Sequence, residues 1–147
     1  MTTTRYVHAR PVGDLLNRIV RWITARGLSI WGSRVLAVRG RRTGEWRTVV
    51  VNPLDHRGAR YLVAPRGHTQ WVRNLRTAGG TGELRLGKRA EVFVADELPD
   101  ADKPEVLRAY LRRWKFEVGV FFDGVDESAS DETLLAMAPG YPVFQLR

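Results

Sequence analysis

Two clusters of arginine, glycine, aromatic and amide side chains have the chemistry of an anion-binding site. The first is segment 40–47, GRRTGEWR. Its glycines permit a tight turn with exposed backbone amides, and amides together with guanidinium forks suit a phosphate diester or a carboxylate. The spacing is neither that of a Walker loop nor that of a dinucleotide-binding turn. By itself, segment 40–47 is equally compatible with a basic hairpin whose arginines are only solvated.

The second cluster is Arg66-Gly67-His68, followed by the helical segment 70–78, QWVRNLRTA. Trp71 and Asn74 are three residues apart, so they share one face of a helix. An aromatic wall and one amide on that face could contact a heterocycle. Arg76 is close enough to the helix end to act only as a cap. His68 could orient a bound cofactor or donate a proton, but we expect it to be a surface loop residue. Because residues 56–82 contain no acid, an anion lying across both clusters would meet no carboxylate.

Charge is distributed unevenly over the 147 residues. Residues 1–82 carry fifteen Arg or Lys and three acids, whereas residues 83–147 carry nine bases and thirteen acids. This asymmetry favours an anionic partner: a nucleic acid, an anionic lipid surface, or a phosphorylated or polycarboxylate small molecule. The absence of cysteine excludes disulfides and thiolate chemistry. The three histidines, His8, His56 and His68, lack metal-ligand spacing, so we predict no metal site.

Short strands interrupted by few helices predict a small closed or part-open barrel with peripheral helices in one domain, 1–147. The predicted strands are 33–39, 47–54, 61–64, 84–86, 90–94 and 141–146. The predicted helices are 12–26, 70–78 and 101–115, the last within a helical and aromatic segment, 101–123.

Segment 12–26 has apolar residues at helical spacing and three arginines on its other faces. It predicts either a helix packed on the barrel or an interfacial helix on anionic lipid, with Trp22 at the headgroup level. The sequence contains neither an apolar run long enough to span a membrane nor a secretory signal. We therefore expect a cytoplasmic protein, with peripheral membrane contact through this helix as the alternative role.

The order of the motifs resembles one family. G-R-R-T-G-x-x-R, then V-N-P-L, then a strand ending in small residues and R-G, then W-x-x-N-L-R, is similar to the deazaflavin-dependent nitroreductases. The resemblance is good over residues 34–97 and loose elsewhere. It implies a split β-barrel of the FMN-binding-protein-like type, mainly β with peripheral helices (α+β). It also implies the deazaflavin coenzyme F-420, with FMN as the alternative cofactor.

The resemblance also assigns roles by position. It implies cofactor contacts from Arg41, Arg42, Thr43, Gly44, Arg47, Arg66, Gly67, Trp71, Asn74 and Arg76. Trp46 and Thr69 depart from the family pattern, which has a small residue or proline at the first position and proline at the second. The family builds its substrate pocket partly from C-terminal aromatic residues. The residues here that would do so are Tyr110, Trp114, Phe116 and Phe121, although most of them are also expected in the core.

The implied activity is hydride transfer from the reduced deazaflavin to a small electron-poor acceptor: a nitro compound, a quinone or an activated alkene. A small-molecule substrate is therefore expected, and the resemblance implies pairing into a homodimer. A non-catalytic carrier of an anionic lipid or cofactor on the same barrel is the alternative. Nucleic-acid binding is disfavoured, because neither a recognition helix nor an RNA-binding aromatic signature is present.

Overall fold

The computed structural model describes residues 5–7 and 32–147, with the backbone alone for residues 115–117. The chain divides into two compact units. Of the described residues, unit 1 contains 5–7, 54–69 and 96–146, and unit 2 contains 32–53, 70–95 and 147. The predicted helix at 12–26 lies outside the described residues.

The described residues form seven strands and three α-helices. The strands are β1 (Arg34–Arg39), β2 (Trp46–Val51), β3 (Leu54–His56), β4 (Ala59–Val63), β5 (Thr81–Leu86), β6 (Arg89–Glu97) and β7 (Val143–Leu146). The helices are α1 (Gln70–Thr77), α2 (Lys103–Val118) and α3 (Asp131–Met137). The prediction of a mainly β protein with helices is confirmed.

Unit 2 is built on an antiparallel sheet with the strand order β2-β1-β5-β6. Strand β1 is flanked on both sides, and its Leu36 and Ala37 are fully buried. Helix α1 packs against β1 and β2 and buries Val72 and Leu75. The sheet thereby holds α1, which carries Asn74, beside the loop that joins β1 to β2.

Unit 1 contains a second antiparallel set of strands, in the order β3-β4-β7, together with α2 and α3. One cluster of buried apolar side chains joins these elements, and each large member contributes about 1.5–3 kcal/mol by leaving water. Ser130 caps the N-terminus of helix α3, because its hydroxyl oxygen accepts a hydrogen bond from the Thr133 amide at 3.1 Å. This cap marks the start of the helix.

Several element boundaries differ from the sequence predictions by a few residues. The predicted strand 47–54 is two strands, because β2 ends at Val51 and β3 begins at Leu54. Pro53 lies in the break, where a residue without an amide hydrogen costs no ladder hydrogen bond. Helix α2 ends at Val118, beyond the predicted end at residue 115. No helix in the described part of the chain is both long and apolar enough to cross a membrane.

Candidate coenzyme site

The loop between β1 and β2 in unit 2 is a tight, hydrogen-bonded turn. The Gly40 amide donates to the Glu45 carbonyl oxygen at 2.8 Å, and the Gly44 amide donates to the Gly40 carbonyl oxygen at 2.9 Å. Gly44 has φ +73°, a left-handed conformation that favours glycine. Thr43 accepts a hydrogen bond from the Glu45 amide at 3.2 Å through its hydroxyl oxygen. The turn leaves Arg42, Thr43 and Gly44 exposed at its tip.

Asn74 of helix α1 holds this loop through Arg41. The Asn74 Oδ1 atom accepts from the Arg41 amide at 3.1 Å and from the Arg41 Nη1 atom at 2.8 Å. The Arg41 Nη2 atom donates to Gln70 Oε1 at 2.8 Å. Asn74 and Gln70 are four residues apart on α1, so both reach the same side of the loop. Two of the predicted motifs therefore meet directly, and the contact uses the oxygen of Asn74 rather than its amide nitrogen.

Arg42 and Arg47 are exposed, and neither forms an ion pair among the described residues. The Arg47 side chain lies over the loop: a Cβ added at Gly40 would be 3.4 Å from Arg47 Cγ and 3.5 Å from its Nε. The loop thus carries two exposed positive charges that form no ion pair with a carboxylate among the described residues. This is the electrostatic arrangement that an anion requires.

Trp46 stacks with two other arginines of unit 2. The guanidinium carbon of Arg39 lies 4.0 Å from the ring centroid, and that of Arg85 lies 4.9 Å from it. Arg85 also pairs with Glu83 at 2.9 Å. The Trp46 ring, 38% exposed, is therefore a platform for cations on the sheet surface. The sequence had singled out Trp46 only as a departure from the family pattern.

On helix α1, Trp71 is half-buried and Arg76 is exposed in the last turn. Thr69 immediately precedes this helix. Its hydroxyl oxygen is buried and has no hydrogen-bond partner among the described residues. A buried polar atom without a partner is costly unless a ligand or water satisfies it.

In unit 1, the predicted Arg66-Gly67-His68 cluster forms an ordered loop. The Arg66 Nε atom donates to the Val7 carbonyl oxygen at 2.6 Å, and the Val7 amide donates to the Arg66 carbonyl oxygen at 2.8 Å. His68 is only 8% exposed, so the expectation of a surface histidine is wrong. Its Nε2 atom lies 3.0 Å from the Pro139 carbonyl oxygen. Because a carbonyl only accepts, Nε2 carries the hydrogen in this contact.

A family model described as F420H2-dependent quinone reductase matches residues 18–126 of the chain. The chain belongs to this family. Membership makes it a deazaflavin-dependent oxidoreductase whose cofactor is coenzyme F-420, so the alternative cofactor FMN is not the one indicated. No curated protein sequence matches the chain.

Solved structures similar to this quinone reductase family member share its fold at low identity. A chain described as a domain-swapped dimer has a TM-score of 0.57 and 16% identity, with 92% of this chain and 96% of that chain covered. An F420H2-dependent reductase has a TM-score of 0.54 and 14% identity, with 79% and 94% covered. The haem storage protein HutZ from Vibrio cholerae has a TM-score of 0.51 and 11% identity, with 79% and 80% covered. The predicted split β-barrel fold is confirmed.

The residues present fit the cofactor of the quinone reductase family. Its tail carries a phosphodiester and carboxylates, and the loop of unit 2 offers two guanidinium groups without carboxylate partners. No cluster of three or more His, Asp or Glu that could hold a metal ion lies in the described ranges.

Two of the predicted substrate-pocket residues of this deazaflavin-dependent reductase lie in the core of unit 1. Tyr110 is 1% exposed and Trp114 is 2% exposed. Phe121 is half-buried against the same core, and the side chain of Phe116 lies outside the described residues. The Trp114 Nε1 atom is buried and has no acceptor among the described residues. Of the three described side chains, Phe121 is therefore the one with surface left for a small molecule.

Burial raises the pKa of the Tyr141 hydroxyl; the nearby Arg5 charge lowers it, and the Asp123 carboxylate raises it again. This hydroxyl donates to the Phe121 carbonyl oxygen. The Tyr141 ring stacks on Phe122 at a centroid distance of 4.5 Å. Because its pKa is raised, the Tyr141 hydroxyl stays protonated and remains a hydrogen-bond donor. It thereby fixes the backbone of Phe121.

Sequence reasoning missed a cleft of about 650 Å³ in unit 1. It is lined by His56, Arg57, Glu105 and neighbouring residues, and none of the predicted site residues lines it. Glu105 Oε1 lies 3.1 Å from His56 Nε2 and 2.9 Å from Arg57 Nε. No local sequence pattern could have predicted this cleft, because its lining residues come from β3, α2, α3 and β7, which are far apart in the sequence.

Proposed function

We propose that this reductase transfers a hydride from reduced coenzyme F-420 to a small quinone-like acceptor, with nitro compounds and activated alkenes as further acceptors. One observation carries the proposal: Arg42 and Arg47 lie uncompensated on a loop that Asn74 holds in place. A loop held by a neighbouring helix is ordered before the ligand arrives, which lowers the entropy cost of binding. The family membership supplies the reaction class.

The binding residues divide into three groups. In unit 2, the β1–β2 loop contributes guanidinium groups to the anionic tail and α1 contributes an aromatic face to the coenzyme. In unit 1, the loop after β4 offers a cation to an anionic group. These groups are Arg41, Arg42, Thr43, Gly44 and Arg47; Trp71, Asn74 and Arg76; and Arg66 with Gly67.

The coenzyme, when bound, supplies the hydride, and the protein positions it and excludes water. Arg42 and Arg47 neutralise the anionic tail. Arg41 acts mainly on the protein, because its amide and both terminal nitrogens are used by Asn74 and Gln70. The Asn74 amide nitrogen takes part in none of these bonds and is the group of that side chain left for the coenzyme.

For the acceptor, we assign the half-buried Phe121 as the contacting residue. Tyr110 and Trp114 support it from the core, because at 1% and 2% exposure they have almost no surface of their own to offer. An aromatic contact without a proton donor suits a flat, apolar quinone. A Phe121→Ala variant is expected to raise the KM for a short-chain naphthoquinone more than it changes kcat, because uniform binding is lost.

The test is a fluorescence titration of the purified protein with coenzyme F-420, followed by turnover of a naphthoquinone and of a nitroaromatic compound. Micromolar binding and faster turnover of the quinone support the proposal. The matched variants are Arg42→Gln and Arg112→Gln. Both arginines are exposed, but Arg112 lies on α2 in unit 1. Equal binding by the two variants, or no binding by the wild type, contradicts it.

The alternative is a non-catalytic carrier, and the fold shared with the haem storage protein HutZ is the observation that favours it. Native mass spectrometry separates the two functions: a co-purified lipid or haem without affinity for coenzyme F-420 favours the carrier. We also propose a homodimer, because one protein of the same fold is described as a domain-swapped dimer. Light scattering at two protein concentrations tests the dimer.

A further inference from the structure

We infer that Arg5 is a positioning residue that fixes the Arg66–His68 loop and the Phe121 backbone relative to each other. Both are parts of unit 1, and the proposed function gives one to the coenzyme and the other to the acceptor. The inference rests on that proposed function for its catalytic consequence. Its structural part rests on the contacts of Arg5 alone.

The guanidinium of Arg5 joins three segments that are far apart in the sequence. Its Nη1 atom donates to the Pro65 carbonyl oxygen at 2.7 Å and, at the longer distance of 3.4 Å, to that of Gly140. Its Nη2 atom donates to the Phe121 carbonyl oxygen at 2.8 Å. Its carbon atom lies 4.3 Å from the centroid of the Tyr141 ring. One planar group therefore connects the loop after β4, the turn after α2 and the turn before β7.

The backbone of the same segment pairs directly with the loop. The His68 amide donates to the Arg5 carbonyl oxygen at 2.7 Å, and Tyr6 forms an antiparallel bridge with Gly67. Gly67 has φ +91°, and a Cβ there would lie 2.1 Å from the Arg5 carbonyl oxygen. This approach is open only to glycine. Residues 5–7 therefore behave as a short strand added to the loop, and the Arg5 side chain secures it.

The contacts of Arg5 differ from those of an ordinary surface arginine. No carboxylate among the described residues forms an ion pair with it, and its charge is met by carbonyl oxygens and an aromatic face. A fork of N–H donors can serve carbonyls in different directions, whereas a lysine ammonium is a single point charge on a flexible chain. The Phe121 carbonyl oxygen accepts from both Arg5 and Tyr141, so its position is doubly determined.

The consequence is a coupling between the two proposed binding regions. Losing the Arg5 side chain removes this donor from the Pro65 carbonyl and leaves the Phe121 carbonyl held by Tyr141 alone. Arg66 and Phe121 then sample more conformations, and each binding step must order them again. Both the coenzyme Kd and the acceptor KM are expected to rise, while kcat changes less, because Arg5 touches no reacting atom.

The experiment compares Arg5→Ala, Arg5→Lys and Arg108→Ala in the full chain, well below their melting temperatures. Arg108 is the matched control. Its Nη1 atom donates to the Glu127 and Ala129 carbonyl oxygens at 2.7 and 2.6 Å, and its Nη2 atom pairs with Asp131 at 2.6 Å. None of these hydrogen bonds reaches the Arg66–His68 loop or Phe121. Amide hydrogen exchange without coenzyme is the first readout. We expect Arg5→Ala to accelerate exchange at both the 65–68 and the 119–122 segments, and Arg108→Ala at neither.

Coenzyme titration and steady-state kinetics are the second readout. We expect Arg5→Ala to raise the coenzyme Kd about tenfold and the acceptor KM about fivefold, with kcat within about threefold. Arg5→Lys should recover part of the Kd, and it serves if Arg5→Ala does not fold. If both Arg5 variants show the coenzyme Kd and the amide exchange rates of the wild type, Arg5 does not have the proposed positioning role. A wild-type protein that binds no coenzyme F-420 overturns the proposed function instead, and the exchange data then still judge the structural coupling.

Discussion

The side-chain oxygen of Asn74, Oδ1, accepts two hydrogen bonds from Arg41, one from the Arg41 backbone amide and one from its guanidinium. The oxygen is buried, the two residues lie 33 positions apart, and the contact joins α1 to the β1–β2 loop. Removing it leaves a backbone amide and part of a guanidinium without their acceptor. Asn74 is therefore a structural residue first, and its value to the coenzyme site comes through the loop that it holds.

Asn74→Ala is expected to lower the free energy of unfolding by about 1–3 kcal/mol, because it removes an acceptor from two donors near the protein interior. It is also expected to weaken the binding of coenzyme F-420. Urea denaturation and fluorescence titration measure the two effects. Gln70→Ala is the control, since Gln70 is exposed and meets only one nitrogen of Arg41. Equal loss of stability in both variants would contradict the special role of Asn74.

Arg47→Ala is expected to weaken the binding of coenzyme F-420 by about 1.5–3 kcal/mol if its guanidinium holds an anionic oxygen. The loss should shrink as salt is raised, because an exposed charge pair is screened. Titrations at two salt concentrations measure both quantities. The thermal stability should change little, because Arg47 is exposed and forms no ion pair among the described residues. Binding that is unchanged at low salt would remove Arg47 from the site.

Local sequence patterns identified the elements of the site well, for physical reasons. Glycine and arginine in segment 40–47 indicated a turn, and the structure has a tight turn there. Segment 70–78 was predicted to be a helix, and α1 spans Gln70–Thr77. Such patterns depend on contacts between neighbours in the sequence. Such local patterns were sufficient to predict the fold class and to reveal the order of motifs that indicates the family.

Contacts between distant residues were not predictable in this way. Nothing in the segment around Arg5 marks it as the centre of three hydrogen-bonded segments, because its partners lie 60 to 135 positions away. The burial of His68 likewise depends on Pro139, 71 positions away. Tyr110 and Trp114 are predicted to line the acceptor pocket, but both are almost completely buried. Their burial depends on the packing of α2 against distant segments, which the local sequence does not specify.

Gly67→Ala tests the close approach of the chain at residue 67. Alanine there meets two penalties: a left-handed φ and a Cβ that would lie 2.1 Å from the Arg5 carbonyl oxygen. The first penalty is about 1–2 kcal/mol, and the second forces the backbone of residues 5–7 to move. Gly124→Ala is the control, because Gly124 also has a left-handed φ but has no atom within 4 Å of the added Cβ.

The difference in unfolding free energy between Gly67→Ala and Gly124→Ala isolates the cost of the steric contact with residue 5. We expect Gly67→Ala to be less stable than Gly124→Ala by more than about 1 kcal/mol in urea denaturation, since overpacking typically costs about 1–3 kcal/mol. Gly67→Ala should also weaken coenzyme binding, whereas Gly124→Ala should not. Equal stabilities would mean that residues 5–7 do not press on the loop.

Tyr141→Phe tests the hydroxyl that donates to Phe121. At neutral pH the variant is expected to lose about 1 kcal/mol of stability with the hydrogen bond. Burial raises the pKa of Tyr141 in the folded protein above its ordinary value of 10.0. The folded state therefore holds this proton more tightly than the unfolded state. The stabilisation is complete below pH 10 and is lost as the pH rises through the folded-state pKa.

Phenylalanine at position 141 has no ionisable hydroxyl. Only the wild type therefore loses stability at alkaline pH through this group. The stability difference between wild type and Tyr141→Phe should be constant from pH 7 to about pH 9 and should narrow above pH 10. Urea denaturation at several pH values measures it, and the subtraction cancels groups that titrate in both proteins. A difference that widens above pH 10 would mean that the folded protein favours the ionised hydroxyl, contrary to its burial.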